Sequence, residues 1–345
     1  MNKVVLRQIK SAIKRNLDEK AGQIVCSNGS YLSVSNYRSL LAYMDKLSKY
    51  PCKVIEYIYY RSAYRHSSKL NLHVNLIMVG ASRSGYSSTV RLLMNCSTVD
   101  RSKYNNALVT DASTFGHAEV VRILLTDPRV DPAAQLNRAI RVASNNGHVE
   151  VVRILLTDPR VEPGVAENYA LRLACSSGHV DVVRLLLNDS RVDPQSSGSI
   201  ALRYACEYGR TEMVRILLED GRADPNANGC VDAASSHGFT DIVRLLLEDG
   251  RSDPGALRNV AIRSACNKGR VDTVRILLAD GRVDPSDFNN RALSNAIISD
   301  LTDIVRILLA DKRVVAAGLN AALYDAKICG RPKILDLLMD AVNAH

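Results

Sequence analysis

The sequence lacks tryptophan and contains only 3 phenylalanines among 345 residues, although it has 14 tyrosines. A hydrophobic core must therefore be built from aliphatic side chains and alanine. Long apolar runs are also missing, since the longest, around Leu72 to Ala81, is far shorter than the roughly 20 residues of a membrane-spanning helix. Met1 to Lys20 contain no apolar run of signal-peptide length. We therefore expect neither a membrane span nor a secreted protein.

The eight cysteines form no Cys-x-x-Cys pair, and their spacing fits no zinc pattern. Cys175, Cys206 and Cys266 occupy equivalent positions in the repeat described below, where a small buried residue is needed. We therefore predict buried, reduced thiols and no metal site. Reduced thiols indicate the cytoplasm or another reducing intracellular compartment.

Positive charge is concentrated at the N-terminus. The net charge is +9, but residues 1–84 hold 14 of the 45 Lys and Arg and only 4 of the 36 Asp and Glu. Eight of the 14 tyrosines also lie in these residues. The rest of the chain is nearly neutral, so the N-terminal quarter is a different kind of segment.

Internal repeats dominate the remaining sequence. Glycines recur mostly every 31 residues, with one step of 29 before Gly238 and one of 30 before Gly330. Asp300 stands in the one place where glycine is missing. We number the resulting units repeats 1 to 9. Each repeat contains one of these residues between its two helical segments, in the order Gly85, Gly116, Gly147, Gly178, Gly209, Gly238, Gly269, Asp300 and Gly330.

Each repeat has the pattern of two helices. In repeat 3, apolar residues at helical spacing precede Gly147 (Ala139, Ile140, Ala143) and follow it (Val151, Val152, Leu155, Leu156). The glycine falls where a helix must end in a left-handed residue. One such hairpin cannot bury its own apolar face, so neighbouring hairpins must stack.

The segment Gly-His-x-Glu-Val-Val-x-x-Leu-Leu, nearly intact after Gly116, Gly147 and Gly178, resembles the second helix of the ankyrin repeat. The resemblance covers about residues 75–345. It implies an all-α solenoid of about nine helix-turn-helix units behind an N-terminal helical cap, with residues 1–70 as a basic, tyrosine-rich segment and 71–345 as the array. The family's Thr-Pro-Leu-His opening is replaced by Asn-x-Ala-Leu-Arg, as at 168–172, and the loop is about two residues shorter. The Asp-x-Arg-Val-Asp-Pro loops are similar to arrays in giant DNA viruses and protists, and a viral origin would imply the host-cell cytoplasm.

Three columns of equivalent residues favour structural roles. The column ten residues before the glycine is mostly asparagine, which predicts helix caps or a hydrogen-bonded ladder between repeats. Arginines of the second helix, such as Arg122 and Arg153, follow an acidic residue three positions earlier, so we expect a self-neutralised, solvated face. In the loops, as at 127–132 and 158–163, we expect the Arg and Asp of successive repeats to pair. The pattern fails at Val314-Val315-Ala316, so the last loop should differ.

A fourth column varies between repeats and is the candidate binding surface. In ankyrin proteins the positions directly before the glycine lie on the concave face that meets partners; here they include Phe115, Asn146, Ser177, Tyr208, His237 and Lys268. Phe115, Tyr208 and His237 are the expected anchors, because aromatic residues contribute most to binding. Arg141, Arg172, Arg203 and Arg263, which replace the family's histidine, add a basic strip that Asp232 interrupts.

The sequence matches none of the catalytic motifs that its glycines and histidines suggest. Gly80 to Gly85 has the glycine spacing of a phosphate loop, but Tyr86-Ser87 stands where Lys-Ser/Thr is needed. His117, His148 and His179 occur once per repeat and do not form a metal-binding motif. We expect no enzyme, no cofactor and no metal.

The sequence thus predicts a non-catalytic scaffold that binds another protein through the concave face of its solenoid. An alternative is binding of nucleic acid or another anionic surface through the basic N-terminal segment, with the repeats as a spacer. Tyr57, Tyr59 and Tyr60 between basic residues favour that alternative, because tyrosines stack on bases. A degenerate repeat that caps the solenoid explains the same segment without a ligand.

Overall fold

A computed structural model describes residues 78–94 and 101–343. The N-terminal segment 1–70, its expected cap and the domain boundary after residue 70 lie outside these residues. Secondary structure in the described part is entirely helical. The chain divides into two compact units between Ala170 and Leu171, within the first helix of repeat 4.

Each described repeat forms a pair of antiparallel helices, here called inner (before the glycine) and outer (after it). In the first unit the pairs are 78–84 and Ser87–Met94, Arg101–Thr114 and Ala118–Leu125, and Ala134–Asn145 and Val149–Leu156. The inner helix of repeat 4, Val165–Ser177, crosses the boundary.

The second unit continues the same pattern to repeat 9. The outer helix of repeat 4 is Val180–Leu187. The later pairs are Ser196–Glu207 and Thr211–Asp220, Cys230–His237 and Thr240–Glu248, Ala256–Asn267 and Val271–Ala279, Asp287–Ile298 and Thr302–Leu309, and Asn320–Ile328 and Pro332–Asn343. A short helix, Lys312–Ala316, stands in the last loop, which differs from the others as its sequence predicts.

The core is aliphatic, as the scarcity of large aromatic residues requires. In repeat 3 the predicted residues Ile140, Val152 and Leu155 are at most 1% exposed. The cysteines at the equivalent inner-helix position, including Cys206 and Cys266, are free and buried, which confirms their predicted burial. Burial raises the pKa of Cys266 to about 12, so this thiol stays protonated and unreactive.

A left-handed turn opens most inner helices, and the sequence did not predict it. In repeat 7, Leu257, Arg258 and Asn259 all have φ between 50° and 58°. The same conformation occurs at 135–137, 166–168, 197–199 and 288–290. Left-handed residues other than glycine cost roughly 1–2 kcal/mol each, so other contacts must hold these turns.

The asparagine column forms a ladder between repeats, which is one of the two structural roles that the sequence predicts for it. Oδ1 of Asn137 accepts a hydrogen bond from the backbone N–H of Glu162 in the next loop (2.9 Å). Asn259 accepts from Asp284 N in the same way (2.8 Å).

Loop arginines pair within their own loop, which corrects the prediction of pairing between repeats. In the loop after repeat 7, Asp280 accepts hydrogen bonds from Nε and Nη2 of Arg282 (2.9 and 2.7 Å). Nη1 of Arg282 then donates to the carbonyl of Ser252 in the preceding loop (2.8 Å). The aspartate thus orients a guanidinium that bonds to the neighbouring backbone. Equivalent Asp–Arg pairs occur at 127/129, 158/160, 189/191, 220/222, 249/251 and 311/313.

These pairs predict loss of stability in acid. Hydrogen bonds from Arg282 hold the pKa of Asp280 below its usual range, and the same cause lowers the pKa of Asp158, Asp189, Asp220 and Asp311. A carboxyl with a lower pKa in the folded state stabilises the fold above its unfolded pKa of about 3.9. That stability is lost as the pH falls from about 4 through the lowered folded values.

The substitution Asp280→Asn is therefore expected to cost about 1 kcal/mol of unfolding free energy at neutral pH and much less in acid. Urea unfolding of both proteins at pH 7 and about pH 3 measures the difference. Asp272→Asn, on the exposed side of the outer helix in the same repeat, is the control and should change stability little. An equal loss for Asp280→Asn at both pH values would contradict the ionic role of the pair.

The outer-helix arginines form the expected solvated face. Arg122 lies 3.7 Å from Glu119 in its own helix and 3.4 Å from Glu150 in the next repeat. Arg215 and Glu212 pair similarly at 3.5 Å. Both partners of each pair are about half exposed, so these contacts contribute little to stability and their charges cancel.

Candidate functional site

The residues directly before the glycine of each repeat lie at the end of its inner helix. In the first unit, Phe115 is 51% exposed and stacks on His117, with ring centroids 6.3 Å apart. Asn146, in the next repeat, is exposed, and its Nδ2 donates to the carbonyl of Thr114 (2.9 Å). Phe115 and Asn146 therefore lie side by side on the surface of the first unit.

In the second unit the predicted anchor Tyr208 is 53% exposed. It contacts Tyr204, one helical turn earlier, with ring centroids 6.1 Å apart. The guanidinium of Arg172 lies over the Tyr204 ring, 5.4 Å from its centroid. Beside them, Arg203 forms an ion pair with Glu207 (3.6 Å). We call these five residues the tyrosine patch.

The other predicted residues of this column differ in environment. Ser177 is partly exposed, and Lys268 is exposed at the end of the inner helix of repeat 7. His237 is exposed, and its Nδ1 donates to Ala233 O (2.9 Å). Its ring stacks on Phe239 with centroids 5.6 Å apart and planes at 7°. An aromatic pair thus follows the tyrosine patch in the next repeat.

The predicted arginine strip has intramolecular contacts. Nη1 of Arg141 donates to the carbonyls of Gln135 and Leu136 in the left-handed turn that precedes its helix (3.3 and 3.2 Å). Arg263 bonds likewise to Arg258 O (2.9 Å) and Leu257 O (3.1 Å). These arginines satisfy the carbonyls of the left-handed turns.

Arg203 behaves differently, because the next repeat is shorter. Its Nη1 donates to the carbonyl of Asn228, in repeat 6. Arg172 contributes to the tyrosine patch, whereas Arg263 lies against Phe288, 5.6 Å from the ring centroid. The arginines of the strip therefore have two roles: some donate hydrogen bonds to the left-handed turns, and some pack against aromatic rings.

The column alone missed several surface residues. Tyr204 and Phe239 add aromatic rings beside Tyr208 and His237, and Glu207 pairs with Arg203. Leu257 and Phe288 are exposed in the left-handed turns. Tyr324 and Ile328, each 66% exposed, add apolar surface in repeat 9. Helical spacing was the available signal for Tyr204, since it lies four positions before the column residue Tyr208.

The histidines predicted to be non-ligands have structural partners. Nε2 of His117 donates to Arg83 O (3.1 Å), and Nε2 of His148 donates to Thr114 O (3.0 Å). Over residues 78–94 and 101–343, no group of three or more His, Cys, Asp or Glu is placed to hold a metal. The helices of this part are also too short or too polar to cross a membrane.

Comparison with known proteins agrees with the helix pairs. The family model for ankyrin repeats, in three copies, matches residues 136–229 and 231–318, which is more than half of the chain. The crystal structure of the human ASB11 ankyrin repeat domain is similar at a TM-score of 0.44 and 21% sequence identity, over 52% of this chain and 84% of that chain. A search of the curated proteins gave no match.

Proposed function

The chain belongs to the ankyrin-repeat family, and we propose that it is a non-catalytic scaffold that binds another protein through the tyrosine patch. Ankyrin repeats are in general protein–protein interaction modules. The partner surface proposed here comprises Arg172, Arg203, Tyr204, Glu207 and Tyr208, all in the second unit. The free buried thiols support a reducing compartment as its place of action.

The observation that carries this proposal is the exposure of Tyr208 on a rigid support. Tyrosine is enriched at binding hot spots, because it offers a large apolar face together with a polar hydroxyl. The Tyr208 ring packs against Tyr204, and the guanidinium of Arg172 packs on the Tyr204 ring. These contacts limit the positions that the two rings can adopt. A partner therefore meets a preformed surface and loses little conformational entropy in ordering it.

We expect Tyr208→Ala to weaken partner binding about tenfold, a loss typical of an interface anchor. The full chain is immobilised, incubated with nuclease-treated cell extract and washed at high salt, and retained proteins are identified by mass spectrometry. The dissociation constant of each purified candidate is then measured for the wild type and the variant.

Tyr324→Ala is the matched control, because it makes the same substitution at an exposed inner-helix tyrosine of repeat 9. A partner retained at high salt, lost with Tyr208→Ala and kept with Tyr324→Ala supports the proposal. Retained proteins whose affinity is the same for Tyr208→Ala and the wild type would overturn it.

A second candidate function rests on the charge of residues 1–84, with 14 basic and 4 acidic residues. Binding to nucleic acid through these residues predicts an affinity that falls steeply with salt, because bound phosphates release counterions. Titration of the full chain with a labelled single-stranded oligonucleotide at several salt concentrations measures this slope. A flat slope, or no binding at low salt, would exclude the second function in favour of the scaffold.

A further inference from the structure

Repeat 6 is two residues shorter than its neighbours, and the deletion lies just before its inner helix. Gly238 follows Pro225 by 13 positions, whereas Gly269 follows Pro254 by 15. Repeats 5 and 7 use three consecutive left-handed residues at this point. Repeat 6 has only a short turn, Ala227–Gly229, in which Asn228 and Gly229 have positive φ. Its turn therefore fills less space than those on either side.

A cavity of about 420 Å³ lies at this shortened turn. Its apolar wall includes Pro225 of repeat 6 and Pro254, Leu257 and Val260 of repeat 7. Leu257 is 74% exposed, so the wall extends to the surface. A volume of this size is at the lower end of the range for ligand sites, roughly 300–1,000 Å³, and is ample for one long side chain.

The hydrogen-bonded ladder between repeats uses a different asparagine in repeat 6, where the two residues are deleted. In place of the usual column residue, Asn226 accepts the hydrogen bond from Asp253 N of the next loop (2.6 Å). Asn228, the column residue by position, donates instead to the carbonyls of Ser197 and Gly198 (2.9 and 2.8 Å). The walls of the cavity are therefore anchored to the repeats on both sides.

Three charged residues line the cavity, and two of them are already engaged. Arg203 pairs with Glu207 and donates to Asn228 O. Asp253 accepts a hydrogen bond from the backbone N–H of Gly255 (2.9 Å). Asp232 differs: its Oδ1 is buried and accepts no hydrogen bond from any residue that the structure describes.

Asp232 also occupies the position at which repeats 3, 4, 5 and 7 have arginine. The deletion and the change from a cation to a carboxylate thus occur in the same repeat and at the same cavity. Asp232 lines the cavity and one oxygen of its carboxylate has no donor, which is costly, so this site favours a ligand that brings a positively charged group to the carboxylate.

We propose that the cavity binds the side chain of an arginine or lysine of the partner protein. The aliphatic stem packs on Pro254, Leu257 and Val260, and the charged tip donates to Asp232. Arg203 also lines the cavity, and its ion pair with Glu207 (3.6 Å) offsets part of its charge. This inference rests on the proposed function, since it assigns the chemistry of one contact in the same kind of complex.

The test uses the full chain and small probes that carry only the side chain in question. N-acetyl-arginine methylamide, the corresponding lysine compound and the neutral isostere N-acetyl-citrulline methylamide are titrated against the protein by ligand-observed NMR. We expect the two cationic probes to bind at least about tenfold more tightly than citrulline. Equal binding of the citrulline probe, or no binding of any probe, would overturn the proposal.

Asp232→Asn is expected to weaken the cationic probes about tenfold, because it keeps the shape and removes the charge. Asp241→Asn, on the exposed outer helix of the same repeat, is the charge-matched control and should leave binding unchanged. A second variant replaces Asn226-Ala227-Asn228 with the five residues found at 255–259, which restores the 31-residue spacing and fills the cavity. Loss of probe binding by this second variant with retained helical content supports the site, whereas wild-type affinity for the cationic probes in either variant contradicts it.

The outcomes separate this inference from the scaffold. A partner that depends on Tyr208, combined with no binding of the cationic probes, refutes the basic side-chain site and leaves the scaffold standing. Probe binding that depends on Asp232, with no partner that depends on Tyr208, supports the basic side-chain site and refutes the scaffold that binds through the tyrosine patch.

Discussion

Substitution of Gly209 by alanine is expected to lower the free energy of unfolding by about 3 kcal/mol. Gly209 ends the inner helix of repeat 5 with φ +67°, a conformation that costs an L-residue about 1–2 kcal/mol. An added Cβ would also lie 2.8 Å from the Phe239 ring of the next repeat. A ring held by stacking on His237 cannot yield easily, so overpacking adds a further cost of about 1–2 kcal/mol.

Gly221→Ala separates the two contributions. Gly221 has a similar φ of +79°, but its Cβ would meet no heavy atom within 4 Å among the described residues. We expect it to cost only the backbone part, about 1 kcal/mol. In a Phe239→Ala background, the cost of Gly209→Ala should also fall to about 1 kcal/mol. Urea unfolding of the wild type, Gly209→Ala, Phe239→Ala and the double variant measures this cost. Equal costs for Gly209→Ala with and without Phe239 would show that the ring plays no part.

The helix pairs and the core were predictable because they depend on local pattern. Apolar residues such as Val151, Val152 and Leu155 recur at helical spacing, and the glycines mark where each inner helix ends. Small residues at equivalent inner-helix positions, such as Cys206 and Cys266, predicted their own burial. Repetition made these signals strong, because each pattern occurs up to nine times in one chain.

The loops were not predictable from such patterns. No sequence rule expects Leu257 and Arg258 at positive φ, and only the later contacts of Arg263 and Asn259 compensate for it. Pairing of Asp280 with Arg282 was missed because nothing in the sequence shows that side chains two positions apart in this loop meet each other. In the tight turn of this loop they do, and the guanidinium then reaches back to the preceding repeat.

The candidate surface was partly predictable. Tyr208 was identified by its column, and its exposure agrees with the binding role proposed for it. Tyr204 and Phe239 were missed because each lies outside the column, and their contribution depends on stacking in three dimensions. The cavity left two traces in the sequence, the 29-residue spacing and Asp232 in a column of arginines, but neither reveals a volume.

The ladder of asparagines is the second place where one side chain should have a large effect. Asn259 is only 6% exposed; its Oδ1 accepts from Asp284 N (2.8 Å) and its Nδ2 donates to Asp287 Oδ2 (2.9 Å). Asn259→Ala removes both bonds and leaves polar groups of the next loop without their partner, at a cost of about 2 kcal/mol. Alanine also tolerates φ +54° less well than asparagine, which adds up to about 1 kcal/mol.

Asn259→Gly distinguishes the ladder from the backbone, because glycine accepts the left-handed conformation but makes neither hydrogen bond. If the ladder dominates, urea unfolding should give a loss of about 2 kcal/mol for Asn259→Gly and about 2–3 kcal/mol for Asn259→Ala. Asn267→Ala, at the exposed end of the same helix, should cost less than about 0.5 kcal/mol. A nearly wild-type Asn259→Gly would mean that asparagine is needed here only for its φ, and that the left-handed turns are held chiefly by arginines such as Arg263.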